Sequence, residues 1–176
     1  MVTYTAKVHR FRDESLASLW SYHLLVPAEV AEPFLQGDDR RVVITYPSGL
    51  KQQCALMPRG EGDCFIFLNQ KLRKTLSLEP DDEITIRIEA DTSKYGLPVP
   101  EELEVLLDQD EEGSQFFHQL TPGKQRTLIH WVGSVKNPDK RLTRAVVMIN
   151  HVKGMRGNVD FKQLNEALKG VNQPGG

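Results

Sequence analysis

The chain has 176 residues, a formal net charge of -2 and 39% hydrophobic residues, so by size it buries roughly 70% of its extended surface on folding and needs neither metal nor disulfide to hold a core. The near balance of charge does not predict a nucleic-acid partner for the molecule as a whole. Its two cysteines, Cys54 and Cys64, stand in apolar company and read as small core residues of a reducing compartment; no apolar run approaches the roughly 20 residues that span a bilayer and Met1 to Phe11 has no signal-peptide core, so no membrane insertion is expected and the compartment is the cytoplasm.

In chain order, Thr3 to Phe11 alternates and predicts a first strand, interrupted at Asp13-Glu14-Ser15. Leu19 to Val26 is rich in strand formers and leads through Pro27 into a short helix over Ala28 to Leu35, closed by Gly37. After the polar turn Gly37-Asp38-Asp39, the β-branched run Arg41 to Tyr46, the turn Pro47-Ser48-Gly49 and the return over Leu50 to Met57 predict a hairpin. Pro58 to Asp63, with two glycines, predicts a loop. Cys64 to Leu68 predicts an apolar strand, Lys71 to Leu76 a helix of one or two turns, and Ser77 to Asp82 a turn. Glu83 to Ala90 places Ile84, Ile86 and Ile88 on one face against Thr85, Arg87 and Glu89, the period of a strand with one face in the core.

The composition then changes. Thr92 to Pro100 is irregular. A helix begins at Glu101, with Glu101, Glu102 and Glu104 favourably placed against its dipole. Ser114 to Leu120 predicts a short helix burying Phe116, Phe117 and Leu120. Thr121 caps a helix with Pro122 at its first position, running to about Val135 with Leu128, Trp131, Val132 and Val135 on one face. Asn137-Pro138 breaks it. The next helix, Asp139 to about Lys153, carries Leu142, Ala145, Val146, Ile149 and Val152 on its apolar face and ends at Gly154. Phe161 to Leu168 adds a turn or two before a disordered end from Asn172.

The first part of the chain matches itself at an offset of 42. Val26, Val30, Phe34, Val42 and Ile44 align with Leu68, Leu72, Leu76, Ile84 and Ile86. Each copy has the order apolar strand, short helix, acidic turn, alternating strand. Neither half can bury its apolar face or cover its sheet edges alone, which predicts a closed barrel of two related halves. Val26, Val42, Ile44, Phe65, Phe67, Leu72, Ile84 and Ile86 are the residues expected to fill its centre, which leaves little interior for a ligand.

The stretch Leu68 to Ile84 resembles one repeat of the split barrel of AbrB-like transcription factors. Over a longer span, Val26-Pro27-Ala28-Glu29-Val30, Pro58 to Asp63, Lys71 to Ile84 and Val99 to Leu103 resemble the domain of unknown function that often precedes the YdeI/OmpD-associated (bacteriocin-protection) proteins. Phe117, Leu120-Thr121-Pro122, Trp131, Lys136, Arg141, Arg144 and Gly154 resemble the YdeI/OmpD-associated proteins themselves. The resemblance implies a mainly β fold, a closed six- or seven-stranded split β-barrel with an internal pseudo-two-fold repeat over residues 1–92, plus a C-terminal α-helical tail module over 98–170. It implies no securely assigned activity. The chain departs from the pattern at Asp81, where a glycine is usual, and at Lys140, where a threonine usually precedes the first arginine.

Three places invite a site. Arg59 and the glycines of the Pro58-to-Asp63 loop can present donors to an anion, or simply form a tight connection that needs positive φ. Lys71, Arg73 and Lys74 form a basic cluster on a short helix, either an ordinary solvated face or an anion or nucleic-acid contact. In the tail, Gly123 to Arg156 holds eight Lys or Arg residues against the single acid Asp139, whereas Glu101 to Glu112 holds seven acids and no base. These stretches either neutralise each other or leave Lys136, Lys140, Arg141 and Arg144, with Trp131 as a surface aromatic, as a basic helical face for phosphates. The five histidines form no metal-binding pair and the cysteines no CxxC unit, so no catalytic residue, metal or cofactor is predicted. The leading expectation is a non-enzymatic binding or stress-accessory protein of the YdeI/OmpD-associated type. The alternative is a nucleic-acid-binding protein that uses the tail and the Lys71-to-Lys74 helix. The partner is unknown and self-association stays open.

Overall fold

Strand alternation organises the first part of the chain. β1 (Val2–Arg10), β2 (Tyr22–Val26), β3 (Arg41–Thr45), β4 (Lys51–Ala55), β5 (Met57–Gly60), β6 (Asp63–Leu68) and β7 (Glu83–Ala90) form one antiparallel sheet in the order β4-β3-β7-β1-β2-β6-β5. The computed structural model describes residues 1–10, 22–35 and 40–172, in two units, Met1–Gly96 and Leu97–Gly176. The predicted interruption at Asp13-Glu14-Ser15, the helix stop and polar turn at Gly37-Asp38-Asp39, and the end beyond Asn172 lie outside the described residues.

The expected closed barrel is replaced by an open sheet curled into a half-barrel. β4 and β5 are its two ends and do not pair with each other. The chain explains why. A single residue, Leu56, separates β4 from β5, and an antiparallel pair needs a connection of at least about two residues. β5 also carries Pro58, which has no N–H to donate, and an irregular register between Pro58 and Gly60. Leu56 is instead buried, with its N–H donating to Arg40 O at 2.9 Å. The curl is visible in Gln52 of β4, whose Nε2 donates to Phe67 O of β6 at 3.0 Å although these strands stand near opposite ends of the order.

The offset of 42 is present in the strand pairing. Leu24 lies opposite Ile66 in the β2–β6 pair and Thr45 opposite Arg87 in the β3–β7 pair, each 42 residues apart. Each half supplies one member of both pairs. The short helices differ in kind: α1 (Ala28–Ala31) passes into a 3-10 turn at Glu32–Phe34, because Pro33 cannot continue the ladder. α2 (Gln70–Thr75) is capped by Asn69, whose side chain accepts from Leu72 N at 2.8 Å.

The inner face is filled by Val8, Leu24, Val26, Val42, Ile44, Tyr46, Cys64, Ile66, Leu68, Leu72, Ile84, Ile86 and Ile88. Phe65 and Phe67, expected at the centre, lie on the opposite face. The β2 pairing sets Cys64, Ile66 and Leu68 inward, beside Val26, Leu24 and Tyr22. The expected Pro58-to-Asp63 loop is mostly β5 and the start of β6. The turn between them is Glu61-Gly62, both at positive φ (53° and 87°), as a two-residue hairpin turn that follows the twist of the strands requires.

The second unit is helical: α3 (Glu101–Gln109), α4 (Glu111–Gln119), α5 (Pro122–Gly133), α6 (Pro138–Gly154) and α7 (Phe161–Asn172). α6 is central and packs against the other four helices. Asn137 does more than break the preceding helix, since its side chain accepts from Lys140 N and Pro138 opens α6. The buried set of α6 is Ala145, Val147, Met148, Ile149 and Val152, while the expected core residues Leu142 and Val146 stand 48% and 39% exposed, on a side of α6 that the other helices leave uncovered. On α5 the buried set is Leu128, Ile129 and Val132, with Trp131 only half-buried; the helix ends at Gly133, and Val135, expected on its apolar face, lies half-buried just beyond it. Gly113 of α4 lies so close to α6 that a Cβ there would sit 2.4 Å from Ile149 Cγ2. Among the described residues no helix is long and apolar enough to cross a membrane.

Candidate functional site

The tail's basic residues separate into used and available groups. Arg141 donates from Nε and NH2 to the Glu102 carboxylate at 2.9 and 2.7 Å, and from NH1 to Lys136 O at 2.8 Å. That guanidinium holds the Glu102 carboxyl below its usual range. Lys153 reaches Asp110 at 3.0 Å and Glu112 at 3.1 Å. Asp110 also accepts from Gly113 N at 2.8 Å, and that bond, followed by Lys153, lowers its pKa. The acidic segment therefore engages Arg141 and Lys153 in structural pairs, and Lys136 contributes its carbonyl to the same junction.

Arg144 and Lys140 belong to a different place. They lie four residues apart, on one face of α6. With Val135, Thr143 and Leu168 they line a cleft of about 470 Å³. Arg144 is fixed at one corner: NH1 donates to Trp131 O and to Ser134 Oγ, each at 2.7 Å, and the guanidinium lies 5.1 Å from the indole centroid. Trp131 is oriented in turn by Nε1, which donates to Asn165 Oδ1 on α7 at 3.1 Å. Lys140 has no acidic partner among the described residues. Among the described residues the lining offers an ammonium, a guanidinium and a hydroxyl beside two apolar walls, with no imidazole, thiol or carboxylate.

In the first unit the predicted cluster on α2 divides three ways. Arg73 is structural: its guanidinium lies over Tyr22 at 4.4 Å, and NH1 donates to Leu78 O at 2.9 Å and pairs with Glu79 at 2.8 Å. Lys74 is exposed, without an acidic partner among the described residues. Lys71 lines a smaller cleft of about 260 Å³ with Leu50, Lys51, Gln52, Asn69, Leu72 and Thr75.

Arg59 stands on exposed β5 with NH1 3.5 Å from His23 Nε2, which removes it from the expected glycine loop. His23 is 2% exposed, stacked on His9 at 5.5 Å and set edge-on to Phe65. Burial first, then the charges of Arg59 and His9, lower its pKa to about 4. Cys64 belongs to the core on the other face, so it forms no thiol–imidazole pair with His23. No group of His, Cys, Asp or Glu among the described residues is placed to hold a metal.

Compared with known families, residues 4–88 match the domain of unknown function DUF1905, and residues 97–153 match the family described as Bacteriocin-protection, YdeI or OmpD-Associated. The chain thus matches a DUF1905 domain in its first part and a YdeI/OmpD-associated domain in its second. No curated protein and no solved structure matched it. Val135, Lys140, Thr143 and Arg144 fall inside the YdeI/OmpD-associated match, whereas Leu168 and Asn165 on α7 fall beyond it. Arg59, Lys71, Arg73 and Lys74 fall inside the DUF1905 match. Asp81, at the DUF1905 position where glycine is usual, adopts φ 71° and pairs with Lys7 at 2.9 Å. Aspartate is among the few residues that tolerate this backbone.

Sequence reading missed Thr143, Val135 and Leu168 of the larger cleft and Lys51 and Gln52 of the smaller one. Gln52 left a signal: it is a polar residue in the hairpin row that it shares with Val42, Ile44 and Cys54.

Proposed function

We propose that this protein is a non-enzymatic binding protein with a stress-accessory role, and that its YdeI/OmpD-associated domain receives an organic anion in the cleft that α6 forms with Val135 of the preceding connection and Leu168 of α7. The observation that carries this reading is the convergence of Lys140, Thr143 and Arg144 on one cleft with apolar walls. Cations and a hydroxyl bind and orient an anion, while a small apolar wall favours a ligand with a hydrocarbon part. The accessory role rests on the description of the matched family as bacteriocin-protection. Nucleic-acid binding has less support. Arg141 and Lys153 are engaged by Glu102, Asp110 and Glu112, which leaves fewer free bases to neutralise a phosphate backbone.

The test uses Trp131 as reporter. The chain has two tryptophans, so Trp20→Phe leaves Trp131 alone beside Arg144. Titration with hexanoate and with hexyl phosphate is expected to change its fluorescence saturably. Lys140→Ala is expected to weaken binding roughly tenfold, the loss of one charge-assisted contact. Absence of a saturable change with either anion would sink the reading. A polynucleotide titration at low and high salt is expected to show no binding, and tight, salt-sensitive binding would favour the nucleic-acid alternative.

A further inference from the structure

The opening of the half-barrel creates a place that a closed barrel would not have. β5 pairs with β6 only over Gly60↔Asp63, Pro58↔Cys64 and Met57↔Phe65. Beyond Phe65 the chain has already crossed through Leu56 to the other end of the sheet. The gap between β4 and the last residues of β6 is bridged by a side chain, with Gln52 Nε2 donating to Phe67 O at 3.0 Å. Its other atom, Oε1, accepts from Tyr46 OH at 2.6 Å, so the amide is held at both ends and faces one way.

Against this bridge lies the 260 Å³ cleft. Leu50 and Leu72 provide apolar surface. Lys51 arrives from β4, and Asn69, Lys71 and Thr75 arrive from α2 and its cap. Asn69 Oδ1 is occupied by Leu72 N, which leaves its amide N–H groups as the atoms it can offer. Lys51 and Lys71 have no acidic partner among the described residues. Among the described residues the lining contains no carboxylate. Two ammonium groups from separate elements thus face one opening, and no described residue of opposite sign pairs with them.

The internal repeat supplies a comparison within the molecule. At the offset of 42, the counterpart of Lys71 is Glu29 and that of Lys74 is Glu32. The basic character of α2 is therefore specific to the half that borders the gap and is not a requirement of the shared architecture.

We propose that this gap is a second ligand site, in the DUF1905 domain, for a small organic anion. A carboxylate or phosphate head would lie between Lys51 and Lys71, hydrogen-bonded by Thr75 and Asn69, with a short hydrocarbon chain against Leu50 and Leu72. The volume sits just below the usual range for drug-sized ligands and suits a head group with a few carbons. All of its residues belong to the first unit, so it does not depend on the cleft of the YdeI/OmpD-associated domain.

The experiment is a chemical-shift titration of the isotope-labelled full chain with butyrate, with butyl phosphate and with butanol. The expected result is a saturable shift with one shared Kd at the amides of Leu50, Lys51, Leu72 and Thr75. The tighter of the two anions identifies the head group, and butanol is expected to leave these amides unmoved. Lys51→Ala and Lys71→Ala are each expected to raise the Kd roughly tenfold, and Lys74→Ala to leave it unchanged. No saturable shift at these amides overturns the proposal, as does equal binding of butanol or an equal loss in Lys74→Ala. Shifts confined to residues of the Lys140–Arg144 cleft overturn this site while leaving the first one standing.

Discussion

Gln52 and Phe67 are joined by a hydrogen bond of 3.0 Å between strands that are not neighbours in the sheet. The Gln52 amide is also the acceptor for the buried Tyr46 hydroxyl. Gln52→Leu would keep the volume and strip both partners of their match. The expected cost is about 1–3 kcal/mol, the penalty for leaving a buried donor and acceptor unsatisfied. Gln52→Glu is expected to fail as a rescue, because a second acceptor oxygen would face the Phe67 carbonyl. Urea unfolding of the two variants reads both effects, and an unchanged midpoint for Gln52→Leu would contradict the bridging role.

The forked Arg141–Glu102 pair and the Lys7–Asp81 pair offer a contrast. The first has side chains 26% and 17% exposed, the second 47% and 79%. A double-mutant cycle is expected to give clear coupling for the first and little for the second. Added salt should diminish whatever coupling Lys7 and Asp81 have, and Arg141 and Glu102 should keep most of theirs. Equal coupling energies in the two cycles would refute this ranking.

Stability should depend on pH through His23. In the unfolded chain it takes up a proton near its ordinary value of about 6.5, and in the folded protein only near about 4. Between these values the unfolded state binds more protons. The contribution is therefore complete above about pH 6.5 and is lost toward about pH 4, at up to about 1.4 kcal/mol per pH unit. His9 and His151 are lowered too, chiefly by burial, and act in the same direction. His23→Phe keeps an aromatic ring and removes the titrating group. Its unfolding midpoint should fall less steeply on acidification than that of the parent, and parallel profiles would rule His23 out as a source.

Gly113→Ala would place a methyl group 2.4 Å from Ile149 Cγ2. The expected destabilisation is about 1–3 kcal/mol, the usual cost of overpacking a filled interior. Ile149→Ala in the same chain removes that methyl, so the double variant should be more stable than the sum of the two single changes predicts. Thermal unfolding of the three variants measures this, and simple additivity would show that the close approach is relaxed elsewhere.

Legibility followed from how much contrast each segment carried. β7 was readable to its ends because Ile84, Ile86 and Ile88 alternate with Thr85, Arg87 and Glu89. β6 was located but placed the wrong way round, because Cys64, Ile66 and Leu68 are as apolar as Phe65 and Phe67, and only the register with β2 decides which row faces inward. β5 was hidden by Pro58 and Gly60, which resemble a loop and here mark a short, irregular edge. Leu142 and Val146 resemble core because they are as apolar as Val147 and Met148, and only the packing of the neighbouring helices decides which of these α6 residues are covered. Among the charges, Arg141 could not be told from Arg144 in sequence. Its partner Glu102 is 39 residues away, while Arg144 is held by the indole and carbonyl of Trp131.

Leu56 has a mechanical consequence. As the lone residue between Ala55 and Met57, it ties the first and last strands of the sheet together at one corner. Two peptide steps reach no farther than about 7 Å. At that corner the two margins cannot part, however far the hydrogen bonds loosen. Any spreading must open as a wedge whose apex is Leu56 and whose mouth lies at Gln52 and Phe67. The rim residues Lys51 and Lys71 stand at that mouth, so lengthening the Leu56 link would widen the gap at its apex, and cutting Gln52 would release it at the rim.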